Sequence, residues 1–425
     1  MRTLVIVLLM LCLVCCERGH GAGGGDTDDW EGTVRDSAGV TIVENHGVPV
    51  WGEDDAWAFT LVRSIGLSDD DLRYQFGSIS GVAWLSDGTI AVADQIAHNV
   101  RFYSADGTLL ASVGREGSGP AEFQDLYDLL VGPSDTVVAL DWGDYRASRI
   151  TSDGKWHGHF SIAPQDGFMG WYWADDAATG HLATLVEPRP GPAAPQDKRF
   201  GFVVLRDLRG RSLDTIARVL NQEGLTVGSG GAMLMHHYRG RGEFALCEGT
   251  AVVGHTDDLM FRWHRVDGTV IRIVTLERAS TPITEVDQRV LLNAVDRIAR
   301  EHGAPPAEAA RVKASMRFED HYPAWRKLVC GPAGSLLVQR TRPLRDLSEE
   351  EVAQLTPGSD PPGGDLWDVF DAAGRYLGVV PLPAEPARHA FRRDAAGDWL
   401  MIGKTQDDSG VPYIGVWRMD GFDSD

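Results

Sequence analysis

Residues 78–114, SISGVAWLSDGTIAVADQIAHNVRFYSADGTLLASVG, decide the fold that this sequence predicts. The stretch contains four short apolar runs, and an Asp-Gly pair follows the first run and the third. Apolar alternation punctuated by Asp-Gly is the strongest short-range signal for consecutive antiparallel hairpins. We therefore expect a four-stranded antiparallel sheet. Such a sheet has two open edges and cannot bury both of its faces alone, so it predicts further copies along the chain.

The glycine turn that precedes the fourth strand recurs along the chain. Its occurrences are Asp106-Gly107, Asp153-Gly154, Arg209-Gly210, Asp267-Gly268, Ala373-Gly374 and Asp420-Gly421. Their spacing is regular except before Gly374, where we expect insertions within one unit. Six turns predict six units, because each turn belongs to one sheet. The expected fold is an all-β, six-bladed β-propeller of four-stranded blades over residues 40–425.

The two ends of the chain predict how this ring closes. The last unit supplies three strands, at 389–393, 399–402 and 413–419, and then reaches its final glycine turn. The N-terminal stretch 56–65 has the same cadence as the fourth strand of the first unit, at 109–113. We expect this N-terminal strand to complete the last blade and so remove the open edge of the ring.

Insertions interrupt the later units. A helical insertion is expected at about 281–318, between blades four and five, because apolar residues recur at helical spacing within 284–302 and a second helical stretch follows at 307–316. A loop insertion at about 340–365 splits the fifth blade. A Pro-rich segment at 187–198 splits the third.

Composition limits the class of protein. The chain has 425 residues, 43% of them hydrophobic, with a formal net charge of −21. This length and hydrophobic content allow one large globular domain. Nucleic acid is excluded as an expected partner, because phosphate binding needs a surplus of Lys and Arg.

The N-terminus predicts export. Arg2 is followed by an apolar run from Leu4 that is too short to span a bilayer. The run leads into Leu-Val-Cys-Cys, which resembles a bacterial lipobox, although Cys15 stands where Gly, Ala or Ser is usual. We expect residues 1–15 to be a lipoprotein signal peptide and Cys16 to carry the lipid anchor. The alternative is a secreted protein whose signal peptide contains cysteines.

The residues after the anchor predict its surroundings. Residues 16–39 are expected to hold the anchor cysteine and a flexible tether that is rich in Gly and Asp. Glu17 stands where an Asp would favour inner-membrane retention, so the resemblance implies an outer-membrane lipoprotein of the cell envelope. The membrane is then contacted through the lipid anchor alone. Cys247 and Cys330 are the remaining cysteines. They are able to pair in an oxidising compartment, but we favour two separately buried thiols.

A family resemblance supports the propeller. The first unit and the segment GREGSGPAEF at 114–123 resemble the NHL-repeat and TolB-like propeller class, in particular six-bladed β-propeller lipoproteins of bacterial envelopes. This class includes scaffolds, peptide or sugar binders, and metal-dependent lyases and lactonases, so the fold alone does not choose a function. Asp94 matches a structural aspartate of the repeat, and we interpret it as a turn-bonding residue.

The first strands of the blades, which line the channel of a propeller, predict a binding site. Aligning these strands on their turns brings a set of candidate ligand-binding residues to the channel mouth: Arg239, Arg241, Arg326 and His389 on one side, and Tyr127, Tyr172 and Trp171 opposite. Arginine forks bind carboxylates and phosphates, which indicates an anionic ligand. The alternative is that each arginine pairs with a blade carboxylate such as Asp125 or Asp128 and only holds the ring together.

No motif in the sequence predicts a reaction. A nucleophile elbow, a metalloprotease helix, a P-loop and a dinucleotide fingerprint are all missing from the sequence. His236 and His237 are adjacent, so in a strand they point to opposite faces and do not readily share a metal. We expect no metal and no cofactor, and assign no catalytic residue. The predicted function is a binding or scaffold module for an anionic small molecule, a peptide or an envelope protein. The alternative is a metal-dependent lyase or lactonase-type hydrolase.

Overall fold

The computed structural model describes residues 30–52, 55–67, 71–163, 168–176, 179–188, 200–220, 225–227, 233–358 and 362–421. The predicted signal peptide, the anchor residue Cys16 and nearly all of the Pro-rich segment 187–198 lie outside these ranges. Among the helices in these ranges, none is long and apolar enough to cross a bilayer.

Three strands open the described chain: β1 (Gly32–Ser37), β2 (Val40–Asn45) and β3 (Ala58–Ile65). β1 lies inside the stretch 16–39 that is expected to be a tether, so residues 32–37 form a paired strand and not part of a tether. It pairs with β2 in an antiparallel hairpin. The two residues of the connecting turn, Ala38 and Gly39, both have positive φ, of 54° and 83°. This backbone matches the right-handed twist of the strands that it joins.

The strands after β3 form successive antiparallel groups of four. Group 1 contains β4 (Ile79–Trp84), β5 (Ile90–Asp94), β6 (Asn99–Tyr103) and β7 (Leu109–Val113). Group 2 contains β8 (Leu126–Gly132), β9 (Thr136–Asp141), β10 (Arg146–Ile150) and β11 (Trp156–Ser161). Group 3 contains β12 (Phe168–Asp176), β13 (His181–Pro188), β14 (Phe200–Arg206) and β15 (Ser212–Leu220).

The second half of the chain continues this pattern after two short strands, β16 (Leu225–Val227) and β17 (Met233–His237). Group 4 contains β18 (Gly242–Cys247), β19 (Thr250–His255), β20 (Met260–Arg265) and β21 (Val270–Leu276). Two helices, α1 (Glu285–Glu301) and α2 (Pro306–Ser315), and strand β22 (Met316–Phe318) follow. Group 5 contains β23 (Trp325–Cys330), β24 (Leu336–Thr341), β25 (Gly363–Phe370) and β26 (Tyr376–Pro381), with helix α3 (Glu349–Gln354) between β24 and β25.

Group 6 combines both ends of the described chain. It contains β27 (Glu385–Arg393), β28 (Trp399–Gln406), β29 (Pro412–Asp420) and the N-terminal strand β3. β3 pairs antiparallel with β29 over the whole of its length, from Ile65 opposite Ile414 to Ala58 opposite Asp420. The stretch expected to complete the last sheet therefore lies in that place. β2 occupies a different edge, where it pairs in parallel with β21 of group 4.

Local chemistry explains why the groups turn where the sequence predicts. Gly107 has a φ of 90°, a conformation that favours glycine. Its N–H donates to the carbonyl oxygen of Ser104 over 2.8 Å, and the side chain of Asp106 accepts from the Thr108 N–H over 3.1 Å. Positive φ recurs at the glycines of the five other predicted turns, at positions 154, 210, 268, 374 and 421.

Asp94 is confirmed as a turn-bonding residue. Its fully buried carboxylate accepts hydrogen bonds from the backbone N–H groups of Gly77, Ser78 and Ala97, at 3.0, 3.2 and 3.1 Å. It also pairs with the Arg101 guanidinium at 3.2 Å. These bonds hold the entry to β4 against the turn between β5 and β6.

The apolar core is divided among the interfaces between consecutive groups. Six buried clusters each combine residues from two neighbouring groups, in the order 1–2, 2–3, 3–4, 4–5, 5–6 and 6–1. In the cluster between groups 6 and 1, Ile402 and Ile414 pack with Val82, Ile90 and other side chains of group 1. The expectation of a mostly-β, propeller-like fold is confirmed. The count of six blades stays a prediction.

The helices form a small unit beside the sheets. α1 and α2 lie within a residue or two of the stretches 284–302 and 307–316 that predict them. α1 begins at a reciprocal capping box, in which Thr284 and Asp287 satisfy each other's backbone N–H groups. A separate buried cluster, which includes Leu291, Val295 and Tyr322, holds these helices against the loops around them.

The two remaining cysteines do not stay separate. Cys247, at the end of β18, forms a disulfide with Cys330, at the end of β23, and their Cα atoms lie 5.6 Å apart. The expectation of two buried thiols is therefore wrong. The residues are 83 positions apart in sequence, and only the packing of group 4 against group 5 brings them together.

Removing β3 tests whether the ring depends on its N-terminal strand. Deleting residues 1–66 should lower the free energy of unfolding by at least about 3 kcal/mol, because burial of Ile65 and Trp57 is lost and β29 gains an open edge. Thermal unfolding followed by circular dichroism measures the change. Deleting residues 1–55, which removes β1 and β2 but keeps β3, is the control and should lower the melting temperature less. Equal melting temperatures for the two truncations would show that β3 does not close the ring.

Candidate functional site

The first strands of all six groups surround a central cavity of about 470 Å³. Residues of β4, β8, β12, β18, β23 and β27 line it, together with Lys404 of β28. Charged side chains of both signs are concentrated on its wall. The lining acids are Asp128, Asp175, Asp176, Glu243, Glu248 and Glu385, and the lining basic residues are Lys327, Arg388, His389 and Lys404.

β-Bulges decide which side chains of the first strands face this cavity. β4, β8, β12 and β23 each have one extra residue relative to the neighbouring second strand: Ser80, Tyr127, Trp171 and Arg326. A bulge bends its strand and re-aims the following side chains. Asp128 and Lys327, which directly follow two of these bulges, line the cavity as a result.

The largest irregularity is in β27. Between Pro386, opposite Gly403, and Phe391, opposite Met401, this strand has three more residues than β28 has over the same interval. We call residues 387–390 the β27 arch. Within it, His389 has a φ of 53°, a left-handed conformation that is uncommon for a residue other than glycine.

The β27 arch reaches from group 6 to three other groups. Arg388 pairs with Ala83 of β4 by a parallel bridge. Its guanidinium lies 2.7 Å from the Asp128 carboxylate of β8, and donates to the carbonyl oxygen of Trp173 in β12 over 2.8 Å. The left-handed backbone at His389 is thus held in place by contacts on several sides, as strained conformations at functional sites are.

His389 and Asp175 form a second short contact in this network. His389 Nε2 lies 2.7 Å from Asp175 Oδ2, which also accepts the backbone N–H of Val131 over 2.8 Å. The Asp175 side chain is 1% exposed. Its burial raises the pKa of the carboxyl, but the charges of His389 and Arg388 outweigh this effect, so the pKa of Asp175 lies below its usual value.

The same contact changes the protonation of His389. Burial lowers the pKa of the imidazole, and the nearby Arg388 guanidinium lowers it further. The carboxylates of Asp175 and Asp176 outweigh both effects, so the pKa of His389 lies above its usual value of 6.5. The imidazole of His389 therefore keeps its proton to a higher pH than a free histidine does.

A second ionic group lies on the wall formed by groups 5 and 6. Lys327 Nζ lies 2.9 Å from Glu385 Oε1, and Lys404 Nζ lies 3.2 Å from Glu385 Oε2. Burial raises the pKa of the Glu385 carboxyl, but the two ammonium groups reverse the effect and lower this pKa to about 2. Glu385 is therefore ionised at neutral pH.

Three of the predicted ligand-binding residues line the cavity: Tyr127, Tyr172 and His389. The Tyr127 ring stacks on Trp142 with ring centroids 4.9 Å apart, and burial raises the pKa of the Tyr127 hydroxyl well above its usual value. Trp171 is the bulged residue of β12, and its side chain lies outside the described part of the structure.

The three predicted arginines lie around the cavity wall instead of on it. Arg241 donates from Nε to Glu243 over 2.7 Å, and its guanidinium lies 5.1 Å from the ring centre of Tyr172, so it contacts two lining residues. Arg239 pairs with Glu319, just after β22, at 2.9 Å. Arg326 occupies the bulge of β23, next to the lining residue Lys327. The blade carboxylate Asp128 pairs with Arg388.

The adjacent histidines have different surroundings. His236 Nδ1 lies 3.2 Å from Glu319, whereas His237 is buried and stacks on Phe318 with ring centroids 5.6 Å apart. Burial lowers the pKa of His237 to about 4, so this imidazole is neutral at physiological pH. Across the described ranges, no group of three or more His, Cys, Asp or Glu side chains is placed to hold a metal ion.

The comparisons with known proteins show only distant similarity. No family model matches the chain, and no curated protein matches it. A solved member of the DUF4221 family from Bacteroides vulgatus is 9% identical with a TM-score of 0.49, and the match covers 87% of this chain and 99% of that one. A Bacteroides fragilis protein described as exported is 10% identical with a TM-score of 0.47, with coverages of 89% and 99%.

An enzyme occurs among these similar structures. Virginiamycin B lyase from Staphylococcus aureus is 8% identical to this chain with a TM-score of 0.41, and the match covers 85% of this chain and 99% of that one. Similarities as distant as these carry no argument about the ligand or the activity of this protein.

The raised pKa of His389 predicts a pH dependence of stability. The contact between His389 and Asp175 contributes fully below pH 6.5, and the contribution is lost as the pH rises through the higher pKa of the folded state. His389→Gln removes the titrating charge, so the melting temperature of this variant should fall less steeply than that of the wild type above pH 6.5. Circular dichroism melts between about pH 5 and 9 measure this difference. His157→Gln, at an exposed position, is the control. Parallel profiles for wild type and His389→Gln would contradict the assignment.

Proposed function

We propose that the protein is a binding module whose central cavity takes a small polar ligand, either an anionic small molecule or the end of a peptide. One observation carries this proposal: a central cavity of about 470 Å³ is lined by residues of all six strand groups, and groups 2 to 6 contribute charged or aromatic side chains to it. Concave sites with a few convergent polar groups are where proteins bind small ligands.

We propose that the six strand groups are six blades of one closed ring. The six apolar clusters support this, because each joins two consecutive groups and one joins group 6 to group 1. The pairing of β3 with β29 supports it as well, because it completes the last group with an N-terminal strand. The helices α1 and α2 then form an insertion between the fourth and fifth blades, and the repeats belong to the NHL-like propeller class.

The predicted site residues have two kinds of role in this proposal: some line the cavity, and others lie around it. Tyr127, Tyr172 and His389 contact the ligand directly in the cavity. Arg241 contacts both Glu243 and Tyr172, so it orients the wall of the cavity. Arg239 and Arg326, which lie outside the cavity lining, contact the part of a peptide or partner protein that extends beyond the cavity, and a role for Trp171 stays a prediction.

We further propose that the chain is an outer-membrane lipoprotein with its anchor at Cys16. The disulfide between Cys247 and Cys330 supports a location outside the cytoplasm, because disulfides persist in oxidising compartments. Cys16→Ala should move the protein from the membrane fraction to the soluble fraction of the cell envelope, which fractionation and immunoblotting measure. Retention of Cys16→Ala in the membrane fraction after a high-salt wash would contradict the lipid anchor.

A cavity-filling variant tests the binding function. Small carboxylates, amino acids and short peptides are screened for the rise in melting temperature that binding to the folded state produces. At a ligand concentration about 100 times the Kd, binding raises the free energy of unfolding by about 2.7 kcal/mol. Ser80 lines the cavity, so Ser80→Trp should abolish this rise. Ser409→Trp, in an exposed turn, should preserve it.

Two outcomes would contradict the binding function. One is that no compound stabilises the wild-type protein. The other is that Ser80→Trp, shown by circular dichroism to be folded, responds to ligand as the wild type does.

A further inference from the structure

Two lysines share one carboxylate on the wall of the central cavity. Lys327 belongs to β23, Lys404 to β28, and Glu385 begins β27 between them. All three line the cavity. Each lysine contacts a different oxygen of Glu385, at 2.9 Å from Lys327 and 3.2 Å from Lys404. With Glu385 ionised, the group carries two positive charges and one negative charge.

The ammonium groups of the two lysines have unused hydrogen-bond donors. An ammonium has three N–H donors. Toward the described residues, neither Lys327 nor Lys404 makes a hydrogen bond or ion pair other than the one with Glu385. Four N–H donors are therefore left over. The lysine side chains are 41% and 32% exposed, so these donors are accessible from the cavity.

Neighbouring acids are engaged elsewhere. Glu243 accepts from Arg241 at 2.7 Å, and Asp128 accepts from Arg388 at 2.7 Å. Asp175 is bound to His389 and Arg388. Of the two other lining acids, Asp176 accepts the backbone N–H of Gly249 over 2.6 Å and Glu248 is exposed. In the described part of the structure neither pairs with Lys327 or Lys404, so the lysine pair keeps one excess positive charge at the cavity wall.

We infer that Lys327 and Lys404 bind a carboxylate of the ligand. The inference rests on the proposed ligand-binding role of the cavity and names the chemistry that the cavity recognises. A carboxylate carries one negative charge, which matches the excess charge of the group, and its two oxygens accept up to about four hydrogen bonds, as many as the unused donors supply.

A phosphate monoester fits this site less well. It carries about two negative charges at neutral pH, one more than the lysine pair offsets. The second negative charge would have no partner in this group, and an unpaired charge in a partly buried cavity is less well screened than in water. The site therefore selects a carboxylate over a phosphate.

The test uses a panel of small carboxylates, each paired with its uncharged amide and with a phosphate-bearing analogue. Binding to the full-length wild-type protein is measured by thermal shift and by isothermal titration calorimetry. Carboxylates should bind, whereas the matched amides and phosphates should bind at least about tenfold more weakly, which corresponds to about 1.4 kcal/mol.

Lysine variants assign the effect to this group. Lys327→Met and Lys404→Met keep the aliphatic stem and remove the charge, so each should weaken carboxylate binding at least about tenfold. Lys313→Met is the matched control, because Lys313 also pairs with a carboxylate, Asp296, but lies on α2 away from the cavity. Its carboxylate affinity should equal that of the wild type.

The outcomes separate this inference from the proposed function. If ligands bind the wild type and Ser80→Trp loses them, but Lys327→Met and Lys404→Met bind carboxylates as the wild type does, the cavity is the site and the lysine assignment is overturned. Phosphates or amides that bind as tightly as carboxylates would also overturn it. If nothing in the panel binds the wild type, both the inference and the proposed function are rejected.

Discussion

Arg388 joins the sixth strand group to the second and third groups across the axis of the molecule. Its guanidinium contacts Asp128 and the carbonyl oxygen of Trp173, while His389 beside it pairs with Asp175. A carboxylate as buried as Asp175 needs these partners, because breaking a buried ion pair costs about 3–5 kcal/mol. The β27 arch is therefore held inside the channel, and this pairing maintains the left-handed backbone of His389.

The junction between group 6 and group 1 and the wall of the cavity depend on the same elements. At the outer edge of group 6, β3 completes the sheet by pairing with β29, and near the axis Arg388 bridges β27 to Ala83 of β4. At this point the wall of the cavity is formed where group 6, the last strand group, meets group 1, the first. A ligand that binds there stabilises the junction itself, so binding and global stability are coupled in this fold.

Features that depend on neighbouring residues are readable from the sequence, and features that depend on packing are not. The turn at Asp106-Gly107 and the capping box of α1 are specified by adjacent side chains, so the strand groups and helices follow from the sequence. Strand β1 does not follow from the sequence, because its turn needs Ala38 in a left-handed conformation that alanine rarely adopts. The sequence alignment fails at the bulge of β23, where Arg326 is the extra residue and Lys327 lines the cavity, because a shift of one residue exchanges the two faces of a strand.

A crystal structure of the protein with the compound that stabilises it most would show where the ligand lies, and so whether the central cavity is the binding site. Electron density for the ligand is expected in the central cavity, between the lysine pair at Glu385 and the β27 arch, with both sides of the cavity in contact with it. Ligand density confined to the helices or to the outer edges of the sheets, with only water in the central cavity, would contradict this expectation.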